Sequence, residues 1–306
     1  MSEKDMDCSG WRLTVKKRVC KDCKGKGYLL FYRGQFAVAK KCEKCSVVCE
    51  KCNGDGVVFK KGERGYSYAS KCDCAMLEKR ILLFNNAMIP AQFVSVTLED
   101  FLITHHTQEE ARTNSQRFVD SYPVEKRGLV FMGPVGVGKT HLAVGIIKKL
   151  TLEKGYSCKF VDFFHLLSDI KEGYSERKSE KKIIEPFIKA PVLIIDELGK
   201  GRNSEWEANI LDQIISKRYN NSDELTTIFT TNFTTRGEST LKYTRTKTKV
   251  ENPLISTKKK VFEEEILRET LQDRVGDRIF SRLTEICKMI EMEGKDFRTL
   301  KYGEDE

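Results

Sequence analysis

Three groups of residues in this chain have the types and spacing to do chemistry. The first is Gly133-Pro134-Val135-Gly136-Val137-Gly138-Lys139-Thr140. It follows the apolar run Gly128–Met132 and opens a stretch with helical periodicity. In that setting the glycines let several backbone N–H groups turn toward one anion, and the helix N-terminus adds its positive end. Lys139 is then expected on the β- and γ-phosphates of ATP, the Thr140 hydroxyl on Mg2+, and His141 beside the nucleotide. The second group is Asp196-Glu197, two acids directly after Val192-Leu193-Ile194-Ile195. Asp196 is expected to hold Mg2+ through water, and Glu197 to orient and polarise the attacking water. Asn232, closing Thr230-Thr231-Asn232, has an amide that can hydrogen-bond a γ-phosphate or that water. An unliganded glycine turn and an ordinary acidic strand end are the plain alternatives; finding both motifs in one chain weighs against them.

The third group is cysteine. Cys20-Lys-Asp-Cys23-Lys-Gly-Lys-Gly27 recurs 29 residues later as Cys49-Glu-Lys-Cys52-Asn-Gly-Asp-Gly56. Each head leads into an aromatic and β-branched stretch that reads as a hairpin, and each unit closes with a second pair, Cys42/Cys45 or Cys72/Cys74. The first-to-third spacing is 22 residues in one unit and 23 in the other. Cysteine pairs at such a distance have zinc-ribbon spacing, with Cys72-x-Cys74 tighter than the usual Cys-x-x-Cys. We expect Cys20, Cys23, Cys42 and Cys45 to hold one Zn2+ and Cys49, Cys52, Cys72 and Cys74 a second, with an interleaved pairing open. Four thiolates close each site, so the metal would be structural. A unit of about 30 residues buries too little to fold unaided, and metal binding would supply the difference. Of the other cysteines, Cys158 and Cys287 fall in apolar strands as core residues, and Cys8 is unassigned.

Positioning these groups takes a particular set of elements. The chain has 306 residues, 40% hydrophobic and 32% charged, with a net charge of +9. Its longest apolar runs fall far short of the ~18 residues of a membrane helix. The polar start MSEKDMDCSG has no signal-peptide core. Both point to a cytoplasmic protein, with no membrane partner and with cysteines kept reduced for metal. Residues 1–75 carry 17 Lys and Arg against 9 Asp and Glu, a basic excess that suits nucleic acid. Three segments follow: a tandem zinc-ribbon module over 1–75, a helical linker leading into the ATPase over 76–127, and the ATPase domain over 128–306. In the last, strands at Gly128–Met132, Cys158–Phe163, Val192–Leu198, Thr226–Asn232 and Lys288–Met292 alternate with helices at Thr140–Lys154, Phe164–Gly173, Glu180–Lys189, Glu205–Tyr219 and Asp277–Ile286. That alternation gives an α/β fold, a parallel sheet with helices on both faces. Only 14 residues follow Met292, so little or no C-terminal lid is expected. Residues 236–260 carry eight Lys and Arg against two Glu and read as an inserted mobile basic loop, either merely solvated or contacting phosphates.

The segments GPVGVGKTHLA, LIIDELG, IFTTNF and DRVGDRIFSRLTEICKMIEMEGKDFR resemble the DnaC/DnaI/IstB branch of AAA+ P-loop ATPases, bacterial helicase loaders and transposition helpers, over about residues 88–306. The resemblance implies that Arg282 is the arginine finger, completing the ATP site of a neighbouring subunit, with Arg278 as its competitor, and that Arg298 is the second sensor arginine. The region between Asn232 and Asp277 departs from the family. The cysteine heads are similar to the zinc-binding repeats of J-type chaperones, without that family's His-Pro-Asp. An N-terminal cysteine module leading into Ile89-Pro90 and Thr97-Leu98-Glu-Asp-Phe101 is similar to the lead-in of some loader-like ATPases.

The resemblance supports two functions. One is an ATP-dependent loader that self-associates through its ATP site, binds single-stranded DNA and places a replicative DnaB-type helicase on it, the zinc module gripping the helicase. The other is an IstB-like transposition helper that binds duplex DNA and recruits a transposase. The zinc module favours the first. A zinc-ribbon binder with a dead ATPase is a third reading, and intact Lys139, Asp196 and Glu197 speak against it.

Overall fold

The computed structural model describes residues 20–45, 51–53, 55–62, 65–201, 204–235, 239–245, 261–267 and 269–300. Cys8, Cys49 and residues 246–260 of the basic stretch lie outside them, as does the side chain of Cys45.

Along the chain, β1 (Tyr28–Arg33) and β2 (Phe36–Lys41) form one antiparallel hairpin and β3 (Val57–Lys61) and β4 (Ser67–Lys71) a second. Helices α1 (Asp73–Asn85) and α2 (His106–Ser121) lead into the alternating half. There follow β5 (Gly128–Met132), α3 (Lys139–Lys148), β6 (Cys158–Asp162), α4 (Phe163–Ser175), α5 (Glu180–Ile188), β7 (Val192–Asp196), α6 (Glu205–Tyr219) and β8 (Thr226–Thr231). The chain continues through β9 (Ser239–Arg245), β10 (Val261–Leu267), α7 (Leu271–Val275), α8 (Asp277–Ile286), β11 (Cys287–Glu291) and α9 (Phe297–Leu300).

Five strands make one parallel sheet in the order β11-β5-β8-β7-β6. The strands β5 and β7 are buried along their whole length because helices cover both faces of the sheet. Successive side chains alternate across the sheet, which divides the core in two. Leu129, Phe131, Val192 and Ile194 pack with α1, α2 and α3. Val130, Met132, Leu193 and Ile195 pack with α4, α5, α6 and α8. Arg218 is 1% exposed, and burial lowers its pKa to about 10. It donates to the Phe187, Ile188, Ala190 and Thr226 carbonyls and to the Thr227 hydroxyl. A guanidinium at the C-terminal end of α5 thus satisfies the carbonyls that the helix leaves open.

The structure departs from the sequence expectations in three places. The helix expected over Thr140–Lys154 is α-helical only to Lys148 and finishes as a π-helical turn, Lys149–Lys154. The basic stretch expected as a loop contains a strand: β9 pairs antiparallel with β10 from Ser239↔Leu267 to Arg245↔Val261. Thr240, Leu241, Tyr243, Val261, Phe262 and Ile266 are strand-forming types whose signal the interleaved lysines and glutamates hide. The short helix α7 was also not anticipated; Thr270 caps it, accepting from the Asp273 N–H.

The first cysteine unit is joined to the core of the parallel sheet. The Ala37 N–H donates to the Ile89 carbonyl at 2.8 Å, the Ala91 N–H to the Gln35 carbonyl at 2.9 Å, and the Ala39 N–H to Asn85 Oδ1 at 2.7 Å. Ala37 and Ala39 share one buried cluster with Phe84, Ile89 and Phe131. Small side chains on β2 let its edge close against residues 85–91. The second hairpin forms a separate two-stranded sheet.

Candidate functional site

The nucleotide motif sits where β5 turns into α3. Gly133 has φ +135°, and a Cβ there would lie 2.0 Å from the Met292 carbonyl oxygen, so no other residue fits this turn. The Met292 N–H donates to the Met132 carbonyl and the Phe297 N–H to the Gly136 carbonyl. These two bonds set α9, and with it Arg298, beside the glycine loop. Lys139 Nζ donates to the carbonyls of Gly133 (2.8 Å) and Pro134 (2.6 Å). Burial lowers its pKa to about 8, Asp196 opposing the shift and Arg298 adding to it.

Asp196 ends β7, 7% exposed. Its Oδ1 accepts from the Thr140 hydroxyl at 2.9 Å and the Thr230 hydroxyl at 2.5 Å. The Thr230 oxygen in turn accepts from the Glu197 N–H at 3.0 Å. Burial raises the Asp196 pKa to about 6, against the pull of the two hydroxyls. A carboxylate beside a hydroxyl at the mouth of a phosphate loop is an oxygen donor set that fits Mg2+. Glu197 has φ +55°, a backbone state that costs a non-glycine residue about 1–3 kcal/mol. Its carboxylate pairs with Lys200.

One cleft collects most of the expected residues. Val135, Gly136, Gly138, Lys139, Thr140 and His141 line it with Glu197, Asn232 and Arg298. His141 touches the cleft, but its Nε2 donates to the Thr97 carbonyl at 2.7 Å and its ring meets Phe101 edge-on. That contact ties it to the linker. Gln92, Phe93 and Val96 form a wall that motif reading did not identify. The only sequence signal for it was Ile89-Pro90, after which the chain makes a 3-10 turn over Ala91–Phe93. Phe297 was likewise missed.

Arg282 is elsewhere. It does not line the cleft; it donates to Asp212 Oδ1 at 3.2 Å and to the Ser216 hydroxyl, and lies over the Tyr219 ring at 5.4 Å. Arg278 reaches the other oxygen of Asp212 at 3.6 Å and is much more exposed, 69% against 20%.

The described cysteines gather by unit. The sulfurs of Cys20, Cys23 and Cys42 lie within 4.8 Å of one another, as do those of Cys52, Cys72 and Cys74. The Gly27 N–H donates to Cys23 Sγ at 3.4 Å and the Gly56 N–H to Cys52 Sγ at 3.3 Å. Converging thiols that accept backbone N–H bonds fit a thiolate-bound metal. Cys45 and Cys49 would complete the two sets. Cys158 and Cys287 are buried in β6 and β11, their thiols raised by burial.

Residues 78–242 match the family model described as IstB-like ATP binding protein. The chain is 33% identical over 123 residues to an insertion sequence IS5376 putative ATP-binding protein of Geobacillus stearothermophilus, covering 40% of this chain and 48% of that one. It is 26% identical over 136 residues to the replicative helicase loader DnaC of Escherichia coli K12, covering 44% and 55%. The matched stretch is thus about half the length of either relative. A crystal structure of the DnaC helicase loader superposes with a TM-score of 0.50 and 25% identity, covering 66% of this chain and 99% of that chain.

The raised Asp196 carboxyl gives a pH test. Its folded pKa, about 6, lies above the ordinary carboxyl value of 3.8, so folding disfavours the charged form, and the stability lost to it returns as pH falls from about 6 toward 4. Asp196→Asn should therefore raise the melting temperature of the nucleotide-free protein at pH 7.5, with the gain shrinking below pH 6. The same variant should lose the strengthening of ATP binding by Mg2+. Thermal melts across pH and calorimetric titration with and without Mg2+ check both; a lower melting temperature at pH 7.5 contradicts this reading.

Proposed function

From a chain that belongs to the IstB-like ATP-binding protein family, we propose an ATPase that acts as a helicase loader. It would hydrolyse ATP to ADP and phosphate as a conformational switch in DNA replication, binding single-stranded DNA and a replicative DnaB-type helicase in the cytoplasm. The observation that carries the ATPase reading is the shared Asp196 oxygen, which ties Thr140 and Thr230 together beside Lys139 and Glu197. In this reading Gly133–Thr140 and His141 surround the phosphates, and Lys139 exchanges its two loop carbonyls for phosphate oxygens. Thr140 and Asp196 would hold Mg2+, which would neutralise phosphate charge. Glu197, freed from Lys200, polarises water; Asn232 and Arg298 contact the terminal phosphate. Gln92 and Phe93 have the amide and the ring to receive a base.

Self-association belongs to the same reading. Arg282 would reach the ATP of a neighbouring subunit after leaving Asp212, with Arg278, already exposed, as its competitor. The Lys- and Arg-rich stretch 236–260 would contact single-stranded DNA. The cysteine units would each hold one Zn2+, making a zinc-ribbon module over 1–75, with a linker over 76–127 and the ATPase over 128–306. Among the described residues no helix is long and apolar enough to cross a membrane.

A second reading, a transposition helper that binds duplex DNA and recruits a transposase, is favoured by the 33% identity to the insertion-sequence protein. The cysteine module and the superposition over nearly all of the DnaC structure favour the loader. Affinity capture with the tagged chain, with and without ATP, should recover a hexameric helicase in an ATP-dependent way; recovery of a transposase instead supports the helper. Metal analysis of the same preparation should give two Zn2+ per chain, and one or none removes the tandem-ribbon assignment.

A further inference from the structure

The two cysteine units are copies in sequence, yet the structure uses them differently. In the first, β2 is covered: Ala37 and Ala39 are 1% exposed against residues 85–91. In the second, β3 and β4 pair only with each other among the described residues. Its rings stand in solvent: Phe59 is 79% exposed, Tyr66 60% and Tyr68 46%. Large rings this exposed on so small an element mark a surface that something else covers.

The register shows what surrounds each ring. Directly opposed residues of an antiparallel pair share a face. Phe59 opposes Ala69, with Lys71 (opposite Val57) and Lys61 (opposite Ser67) before and after it on that face. On the reverse face Lys60 opposes Tyr68, whose ring lies 6.2 Å from that of Tyr66. Both faces therefore carry an aromatic ring beside exposed ammonium groups. Residues 57–71 hold Lys60, Lys61, Arg64 and Lys71 against Glu63 alone. The acids Asp55 and Asp73 lie toward the cysteine end.

We propose that the β3–β4 hairpin is a single-stranded nucleic-acid surface on which Phe59 stacks a base, Lys61 and Lys71 take the flanking phosphates, and Tyr68 with Lys60 repeats the arrangement on the other face. Rings next to cations are the two elements such binding needs: every base has a face to stack, and every phosphate a charge to neutralise. A purely apolar protein partner would leave the lysines unmatched. The proposal rests on the loader reading for the single-stranded character of the ligand, and it adds a contact in the cysteine module, distinct from the 236–260 stretch.

The test uses the full chain with its metal and MgATP, and a fluorescein-labelled oligothymidylate read by anisotropy. Phe59→Ala with Tyr68→Ala should weaken binding about tenfold or more, with ATP affinity and metal content unchanged. Phe59→Trp should keep the affinity, and its added emission should be quenched by the oligonucleotide above the Trp11 and Trp206 background. Lys60→Ala with Lys61→Ala should flatten the plot of log affinity against log salt by roughly 0.7 per lost contact. Unchanged affinity in the double aromatic variant, or no quenching in Phe59→Trp, overturns the proposal while the loader reading stands. Normal oligonucleotide binding by the double aromatic variant with loss of purified helicase binding assigns the hairpin to a protein and also overturns it. A wild-type chain that takes duplex DNA and refuses oligothymidylate overturns both.

Discussion

The nucleotide half of the molecule depends on one carboxylate oxygen. Asp196 Oδ1 accepts two hydroxyls, one from the start of α3 and one from β8, and so joins the glycine loop, the β7 end and the neighbouring strand end at a single point. Burying a carboxylate there is unfavourable unless it is hydrogen-bonded or meets a cation. Its pKa near 6 shows that the two hydroxyls only partly offset the burial. Lys139 is in the mirror situation, displaced downward to about 8 by burial while it donates to the Gly133 and Pro134 carbonyls. A buried carboxylate above its normal pKa and a buried ammonium below its own mark a site whose charges an incoming charged ligand would relieve.

The arrangement extends outward from that point. The bond from the Glu197 N–H to Thr230 draws Glu197 into its left-handed backbone state and aims its carboxylate at the cleft edge, where Lys200 holds it. Arg274, on the helix that follows the β9–β10 hairpin, donates to the carbonyls of Gly199 (2.5 Å) and Gly201 (2.6 Å). The loop carrying Lys200 is thus clasped by the element next to the basic stretch. On the other side, the first cysteine unit joins the cluster that also covers the sheet, and the wall formed by Gln92, Phe93 and Val96 follows directly from its seam. The first cysteine hairpin is in this way part of what shapes the cleft.

Much of this could be read from residues alone, for identifiable reasons. Gly133–Thr140 and Asp196-Glu197 declare themselves because their chemistry is local: consecutive backbone groups around an anion, and acids at the end of an apolar strand. The strands β5 and β7 were legible because burial on both faces writes continuous apolar runs such as Val192–Ile195. Less legible were features whose cause lies far away in sequence. Nothing local to Ala37 or Ala39 says that β2 pairs with residues 85–91. Nothing near Arg282 announces Asp212 and Ser216. Strand β9 lies in the stretch that reads as a loop because its strand-forming residues are interleaved with charge, and the wall of Gln92, Phe93 and Val96 is silent in the sequence because it is made of ordinary residues placed by a turn after Pro90.

The central claim is that this cluster binds MgATP and that Glu197 turns it over. Single-turnover hydrolysis by Glu197→Gln, alongside direct measurement of its ATP affinity, tests that most directly. The expected result is wild-type affinity with bound ATP left intact. Hydrolysis at the wild-type rate by Glu197→Gln would contradict it.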